Sequence, residues 1–196
     1  MRFAELYEEG TKHVAFCFGR MNPPTLGHEK LMDTVQGVGG DYKIFPSRTQ
    51  DKKDNPLDPE DKIRFLRLLF PQHAGHIVDD PNLRTIGQVC SYLYDQGYSH
   101  ATFVAGDDRL TVMSKLIKDY NGVEGKAHGY YNFETLDFVS SGARDPDSPG
   151  IEGMSSTKAK EKAANGDLQG FAEVTGSGEH AEELFKLVRN GMGIKS

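Results

Sequence analysis

Cysteine, tryptophan and long apolar runs are scarce or missing in this sequence. The 196 residues include two cysteines, Cys17 and Cys90, and no tryptophan. Two cysteines form neither a disulfide framework nor a metal-ligand pattern, and Cys17 lies in an apolar run typical of a buried strand. No apolar stretch approaches the roughly 18 residues that a membrane-spanning helix needs. These absences argue against a disulfide-stapled scaffold and against a membrane-spanning protein.

Positive charge is also in the minority. The formal net charge is −6, which argues against a broad nucleic-acid surface, although a few cations suffice for a small anion site. The first residues, Met1-Arg2-Phe3-Ala4-Glu5-Leu6, lack the apolar core of a signal peptide. We therefore expect a cytoplasmic protein with no nucleic-acid or membrane partner. Its length suits a single domain over residues 1–196, with residues 171–196 as a C-terminal helical extension.

Strand-like and helix-like segments alternate along the chain, which is the pattern of a parallel sheet covered on both faces. Strands are predicted at residues 13–18, 42–45, 76–78, 101–105 and 136–140. Helices are predicted after Leu26, after the N-cap Asp58, and at residues 85–94, 108–120, 155–164 and 179–189. The chain is thus predicted to have an α/β fold.

The most informative stretch is Gly19-Arg20-Met21-Asn22-Pro23-Pro24-Thr25-Leu26-Gly27-His28, directly after the apolar run of residues 14–18. The start of a helix leaves backbone N–H groups unpaired and carries a positive dipole, so it attracts phosphate. Gly19 and Gly27 allow the backbone to approach a ligand closely, and His28 adds a hydrogen-bond donor. The segment predicts a polyphosphate site.

This stretch resembles the hallmark Gly-Arg-Met-x-Pro-x-x-x-Gly-His of the nucleotidyltransferase superfamily, whose core is His/Thr-x-Gly-His. The resemblance covers about residues 13–170 and is closest to the archaeal-type nicotinamide-mononucleotide (NMN) adenylyltransferases. It implies a Rossmann-like three-layer α/β/α fold with a parallel sheet. It also implies an enzyme that transfers adenylate from ATP to NMN by direct in-line displacement, giving NAD and pyrophosphate. Three alternatives stay open: a cytidylyltransferase, a phosphopantetheine-type adenylyltransferase, and a nucleotide-binding module without catalysis.

The resemblance assigns roles to the residues of this motif. His28 would be the donor aimed at the α-phosphate, and Arg20 would hold the triphosphate with its planar guanidinium. Thr25 stands where many relatives carry a further histidine, and its hydroxyl can hydrogen-bond a phosphate. The remaining residues of the nucleotide-binding set in this motif are Gly19, Met21 and Gly27.

A second candidate segment is Gly153-Met154-Ser155-Ser156-Thr157-Lys158-Ala159-Lys160, at a predicted helix start. Hydroxyls and unpaired N–H groups at such a start form an anion cradle, although Ser-Ser-Thr is also simply a good N-cap. The segment resembles the closing Ser-Ser/Gly-Thr-x-x-Arg motif of the superfamily. That likeness assigns nucleotide binding to Ser155, Ser156, Thr157 and Lys158. It assigns a catalytic cation to Lys160, in place of the arginine.

The loop of residues 47–57 is a candidate acceptor site. Its Asn55-Pro56-Leu57 resembles the Asn-Pro-Phe-Thr loop of archaeal-type NMN adenylyltransferases, which implies that an acceptor mononucleotide binds here. Arg48, Lys52 and Lys53 would lie near the acceptor phosphate, beside Asn55. The alternative is a solvated charged loop. Arg144, from an Arg-Asp pair that relatives often share, is a further acceptor-binding candidate.

The predicted strand 101–105 ends in Gly106-Asp107, which relatives use against the ribose or adenine; a plain turn with an Asp N-cap is the alternative. Without tryptophan, any stacking on a nicotinamide ring falls to Tyr130, Tyr131 or Phe133. No metal-ligand spacing is present, and Mg²⁺ is expected to arrive with the nucleotide. The expected partners are a nucleoside triphosphate and a small phosphorylated acceptor. Archaeal-type relatives form hexamers, which leaves a homo-oligomer open.

Overall fold

The structure, a computed structural model, describes residues 11–143 and 148–195, which form four strands and seven α-helices. The strands are β1 (His13–Gly19), β2 (Asp41–Pro46), β3 (His100–Ala105) and β4 (Thr135–Ser140). The helices are α1 (Leu26–Val38), α2 (Pro59–Leu69), α3 (Ile86–Asp95), α4 (Asp107–Tyr120), α5 (Ser156–Ala164), α6 (Leu168–Thr175) and α7 (Ala181–Gly191).

The strands form one parallel sheet in the order β2-β1-β3-β4. The chain leaves β1 through α1 toward one edge and leaves β3 through α4 toward the other edge. Because crossovers between parallel strands are right-handed, this reversal places α1 and α4 on opposite faces of the sheet. The Rossmann-like three-layer α/β/α fold predicted from the sequence is confirmed.

Two compact units make up the chain, and each has its own core. Among the described residues, the sheet unit comprises 11–18, 31–45 and 78–143. In it, one face of β1 and β3 packs against the apolar stripes of α3 and α4. Side chains of that core include Phe16, Phe103, Val89, Leu93 and Ile117. Alternate strand residues contribute to this face because successive side chains on a strand point to opposite sides.

Among the described residues, the second unit comprises 19–30, 46–77 and 148–195. It contains residues 19–28 of the first motif, the loop of residues 47–57 and the Ser-Ser-Thr segment. Its core joins α2, α5, α6 and α7 through Phe65, Ala159, Phe171, Leu184 and Val188. The start of α2 is fixed by Asp58, whose carboxylate accepts the N–H of Asp61 at 2.9 Å, with Pro59 in the first position. That N-cap was predicted from the sequence and is confirmed.

Most predicted elements are confirmed within one or two residues, but the strand predicted at residues 76–78 is wrong. Residues Pro71–His76 form a 3₁₀ helix, and Ile77 makes only a single bridge. Two apolar residues, Ile77 and Val78, are too short a run to form a ladder, and Val78 N–H donates one bond to Ile44 O at 2.9 Å. Helix α6 was not predicted, although its Asp167 cap precedes apolar residues at helical spacing.

Among the helices of residues 11–143 and 148–195, none combines the length and the apolar character that crossing a membrane requires.

Candidate active site

The beginning of α1 holds His28 in one orientation. The side chain of His28 is 8% exposed, and its Nδ1 lies 3.0 Å from the backbone nitrogen of Thr25. Because a backbone N–H can only donate, Nδ1 is the acceptor, and the hydrogen-bond network assigns the ring proton to Nε2. His28 therefore carries its ring proton on Nε2.

Thr25 is fully buried, and the hydrogen bonds described here are made to other groups of the protein. Its hydroxyl donates to the carbonyl oxygen of Met154 at 2.9 Å and lies 3.1 Å from His28 Nδ1. Its carbonyl accepts the N–H of His28 at 2.9 Å, which starts the helix. In this structure Thr25 orients His28 and attaches the motif to the Ser-Ser-Thr segment.

The starts of α1 and α5 lie against each other, because residues just before and within the first turn of α1 contact residues at the start of α5. A Cβ atom on Gly27 would overlap the carbonyl oxygen of Met154, so only glycine fits there. Ser156 Oγ donates to Pro23 O at 2.9 Å. The Ser155 hydroxyl caps α5 by accepting the N–H of Lys158 at 3.2 Å. Two helix N-termini, each with positive dipole, thus lie side by side next to His28.

The sequence did not single out Lys62, which is 0% exposed. Its ammonium donates to the carbonyl oxygen of Arg20 at 2.8 Å and to the carbonyl oxygen of Ser47. Ser47 N–H also donates to Gly19 O at 2.7 Å. Lys62 therefore connects the turns that follow β1 and β2. Burial, and secondarily the charge of Arg48, lowers the pKa of Lys62 to about 8.

Asn22, also missed, joins the motif to the loop of residues 47–57. The Asn22 side chain is 1% exposed, donates to Leu57 O at 2.9 Å and accepts the N–H of Leu57 at 3.0 Å. The amide thus satisfies both backbone groups of Leu57. A signal was present in the sequence, since an Asn before two prolines inside a glycine-rich turn commonly bonds to backbone.

Replacing Asn22 by alanine should lower the free energy of unfolding by about 2–4 kcal/mol, because two buried backbone groups lose their partners. It should also weaken nucleotide binding, since the motif turn loses its attachment. Asn121 gives a matched control: it makes the same pair of bonds to Phe133, at 3.1 and 2.8 Å. Asn121→Ala should lower stability and leave ATP affinity unchanged. Equal effects of the two variants on ATP affinity, measured by titration calorimetry, would contradict this role of Asn22.

The candidate acceptor loop has a fixed turn at its centre. The Asp51 carboxylate accepts the backbone N–H groups of Asp54 at 2.6 Å and Lys53 at 3.0 Å, and the Asn55 amide at 2.6 Å. These bonds, led by that of Asp54, lower the pKa of Asp51 to about 2. Lys52 and Lys53 are exposed beside this turn, whereas Asn55 is 2% exposed and its Oδ1 has no hydrogen-bond partner among the described residues.

Lys160, predicted as a catalytic cation, contacts that loop. Its ammonium donates to Asp54 O at 2.9 Å and lies 3.6 Å from Asp54 Oδ1, and its side chain is 13% exposed. Arg20 carries an exposed side chain, Arg48 and Lys158 are half-buried, and Thr157 is exposed. The structure thus brings the motif, the Ser-Ser-Thr segment and the acceptor loop together within the second unit. Lys160 attaches the loop to α5.

The other predicted positions belong to the sheet unit or fall outside the described residues. Gly106 and Asp107 belong to the sheet unit, where Asp107 begins α4 and its carboxylate accepts a hydrogen bond from Ser140 Oγ. Arg144 lies outside the described residues. Of the aromatic candidates, Tyr131 and Phe133 are in the core of the sheet unit, so both are unsuited to stacking on a ligand. Tyr130 packs edge-on against Tyr94 with ring centroids 5.7 Å apart.

Met21 is the one non-glycine residue of the described chain with a left-handed backbone, at a φ of 48°. Its side chain is 2% exposed, so burial of the thioether stabilises a conformation that costs a methionine of order 1–3 kcal/mol. Such residues cluster at ligand sites, where the chain makes a turn that ordinary conformations do not allow. The Met21 turn sets the position from which the exposed Arg20 side chain leaves the backbone.

The second unit brings together the groups that the sequence analysis proposed for an anion site. Short segments joined through hydrogen bonds supply two helix N-termini, the His28 imidazole, and the cations Arg20 and Arg48. In the described part of the chain, no group of three or more His, Cys, Asp or Glu side chains is arranged to hold a metal ion.

Comparison with known proteins supports the fold. The chain matches no protein-family model and no curated protein sequence. Among solved structures it is similar to a Vibrio parahaemolyticus protein provisionally named a nicotinate-nucleotide adenylyltransferase. The two share 15% identity and a TM-score of 0.52, over 80% of this chain and 89% of that chain. At this identity the likeness establishes the Rossmann-like α/β class, and the function has to be argued from the site.

Proposed function

We propose that this protein is a nucleotidyltransferase that transfers the adenylyl group of ATP to NMN, giving NAD and pyrophosphate. One observation carries the proposal: the starts of α1 and α5 are fastened together beside a histidine whose proton is fixed on Nε2. Paired helix N-termini bind phosphate groups without any acidic or nucleophilic side chain. The structural likeness to a protein named for adenylyl transfer supports the same class.

The reaction is an in-line displacement at phosphorus. A phosphate oxygen of the acceptor attacks the α-phosphorus of ATP, the bond from that phosphorus to the α,β-bridging oxygen breaks, and pyrophosphate leaves. Such a step needs positioning and charge stabilisation more than covalent participation. His28 Nε2–H would donate to an α-phosphate oxygen as its charge develops, while Arg20 would hold the β- and γ-phosphates.

Magnesium is proposed to enter with the nucleotide. The side chains proposed to contact the phosphates are cations, hydroxyls and an imidazole, which suit phosphate oxygens and not a bare divalent ion. Mg²⁺ at phosphates keeps several waters and few protein ligands. When bound, it neutralises part of the phosphate charge, and the residues named above position the nucleotide.

The acceptor is assigned to the loop of residues 47–57. The turn fixed by Asp51 and the attachments through Asn22 and Lys160 hold this loop beside the motif. Arg48, Lys52 and Lys53 on the loop are the proposed contacts of an acceptor phosphate. The likeness of Asn55-Pro56-Leu57 to the archaeal-type loop favours NMN. The solved neighbour is named for nicotinate nucleotide, so nicotinic acid mononucleotide is the nearest competitor.

The test is pyrophosphate release with ATP or CTP, Mg²⁺ and a panel of acceptors. The panel comprises NMN, nicotinic acid mononucleotide, phosphopantetheine, glycerol 3-phosphate and phosphocholine. NAD formed from ATP and NMN is the expected result. Turnover with CTP, or with phosphopantetheine, would replace the substrate and keep the transfer chemistry.

A nucleotide-binding module without catalysis is the second candidate, and the position of Lys160 favours it. The superfamily motif places an arginine there, whereas this lysine donates to Asp54 in the acceptor loop. A site lacking that cation still binds phosphate through its helix N-termini. Tight ATP binding without turnover across the whole panel would support this candidate.

A further inference from the structure

We propose that the buried ammonium of Lys62 is a positioning residue of the phosphate site, which fixes the Arg20 turn and supplies positive charge beneath the bound phosphates. The inference rests on the proposed function, because it concerns the same site. Lys62 lies on α2, outside every segment that the sequence motifs mark.

The contacts of Lys62 are unusual for a fully buried lysine. Both of its hydrogen-bond acceptors are neutral backbone carbonyls, at Arg20 and Ser47. Burying an ammonium ion without a carboxylate partner costs several kcal/mol, and an apolar side chain of similar length would fill the same space. A lysine at this place, despite that cost, points to a function for its charge and for its two hydrogen bonds to backbone carbonyls.

The charge around Lys62 is of the same sign. Among the described residues, the charged group that acts appreciably on its ammonium is Arg48, which disfavours the protonated form. Arg20, whose carbonyl Lys62 binds, adds a second guanidinium on the adjoining turn. The Lys62 ammonium and the Arg48 guanidinium repel each other, and an anion bound beside them would relieve that repulsion.

Proton uptake follows from this arrangement. Burial lowers the pKa of Lys62 to about 8, so near pH 8 the group is partly neutral. A polyphosphate bound next to it favours the ammonium form, so binding should draw a proton from solution. By linkage, nucleotide affinity should fall as the pH rises above 8, because the neutral form must then be protonated on binding.

The experiment is titration calorimetry of the full chain with ATP at pH 7, 8 and 9.5, in buffers of different ionisation enthalpy. At pH 8 the wild type should take up roughly 0.5 proton per ATP more than Lys62→Met does, since a group near its pKa is half protonated. Wild-type affinity should fall about tenfold between pH 7 and 9.5, which corresponds to one pKa unit of linkage. Lys62→Met should bind about tenfold more weakly at pH 7, with no such decline.

Lys62→Arg separates the charge from the packing, because a guanidinium stays protonated over this pH range. It should retain pH-7 affinity within about threefold and lose the decline toward pH 9.5. Proton exchange by ATP itself is common to all three proteins and cancels in the comparison. Thermal denaturation identifies a variant that has not folded. If one variant fails to fold, comparing the other with the wild type still tests the role of Lys62.

Two outcomes overturn the inference, and they differ in what they leave standing. If ATP binds and the wild type and the folded variants take up equal numbers of protons, Lys62 is only structural and the proposed function stands. If the wild type does not bind ATP, the proposed function and the role of Lys62 both fall.

Discussion

Replacing His28 by alanine should lower the rate of pyrophosphate release by at least ~100-fold, with ATP affinity changed by less than about tenfold. The reason is the fixed orientation of the imidazole. Thr25 N–H donates to Nδ1 at 3.0 Å, so the ring proton lies on Nε2, from which the proposed donation to the α-phosphate would be made. A donor organised before the reaction stabilises the transition state more than the bound nucleotide, so turnover suffers more than binding.

The control for His28 is His76→Ala, an exposed histidine at the end of the 3₁₀ helix in the same unit. It should leave both turnover and affinity unchanged. Single-turnover kinetics with saturating ATP and NMN would separate the chemical step from product release. A loss of less than roughly tenfold in His28→Ala would refute the proposed donor role. A module without catalysis would instead retain its ATP affinity in this variant and show no turnover in the wild type.

Replacing Gly27 by alanine should lower the free energy of unfolding by about 1–3 kcal/mol and weaken ATP binding. The added Cβ would overlap the carbonyl oxygen of Met154, which is main chain and cannot rotate away as a side chain would. The starts of α1 and α5 would have to separate, and with them the hydrogen bond from Thr25 Oγ to Met154 O. Urea denaturation measures the loss of stability, and nucleotide titration measures the effect on the site.

The same helix provides the opposite case. A Cβ on Gly37 would meet no atom within 4 Å, and Gly37 lies inside α1. Gly37→Ala should therefore raise the free energy of unfolding by roughly 0.5–1 kcal/mol, because glycine is a poor helix former. If Gly27→Ala were as stable as Gly37→Ala, the close approach of α1 to Met154 would not constrain residue 27.

The glycine at position 27 illustrates how a motif is read from sequence. The sequence assigned Gly27 to close approach of a ligand, whereas the structure shows that the approaching group is the backbone of Met154, 127 residues further along. Thr25 was assigned to phosphate, and its buried hydroxyl donates to the same carbonyl. The sequence placed both residues in one proposed site, and the structure shows that both lie against the carbonyl oxygen of Met154.

Elements were predictable where their signals are local. The Asp58 cap with Pro59, the apolar run before Gly19 and the spacing of apolar residues in α2 and α3 each lie within a dozen residues of the element they define. The false strand at 76–78 and the overlooked α6 mark the limit of such signals. Whether a run of two apolar residues forms a strand depends on whether a sheet edge lies next to it. Whether an eight-residue segment forms a helix depends on the core against which it packs.

The sequence by itself determined the fold class, the position of the motif after the first strand, and the presence of a helix start within that motif. Only the tertiary structure decided that Lys62 lies buried beneath Arg20, that Asn22 holds Leu57, and that Lys160 binds the acceptor loop. Capping and periodicity are interactions among near neighbours, so a single sequence contains them. The partners of Lys62, Asn22 and Lys160 are 15 to 106 residues away, and which groups meet over such separations is decided by how the elements pack.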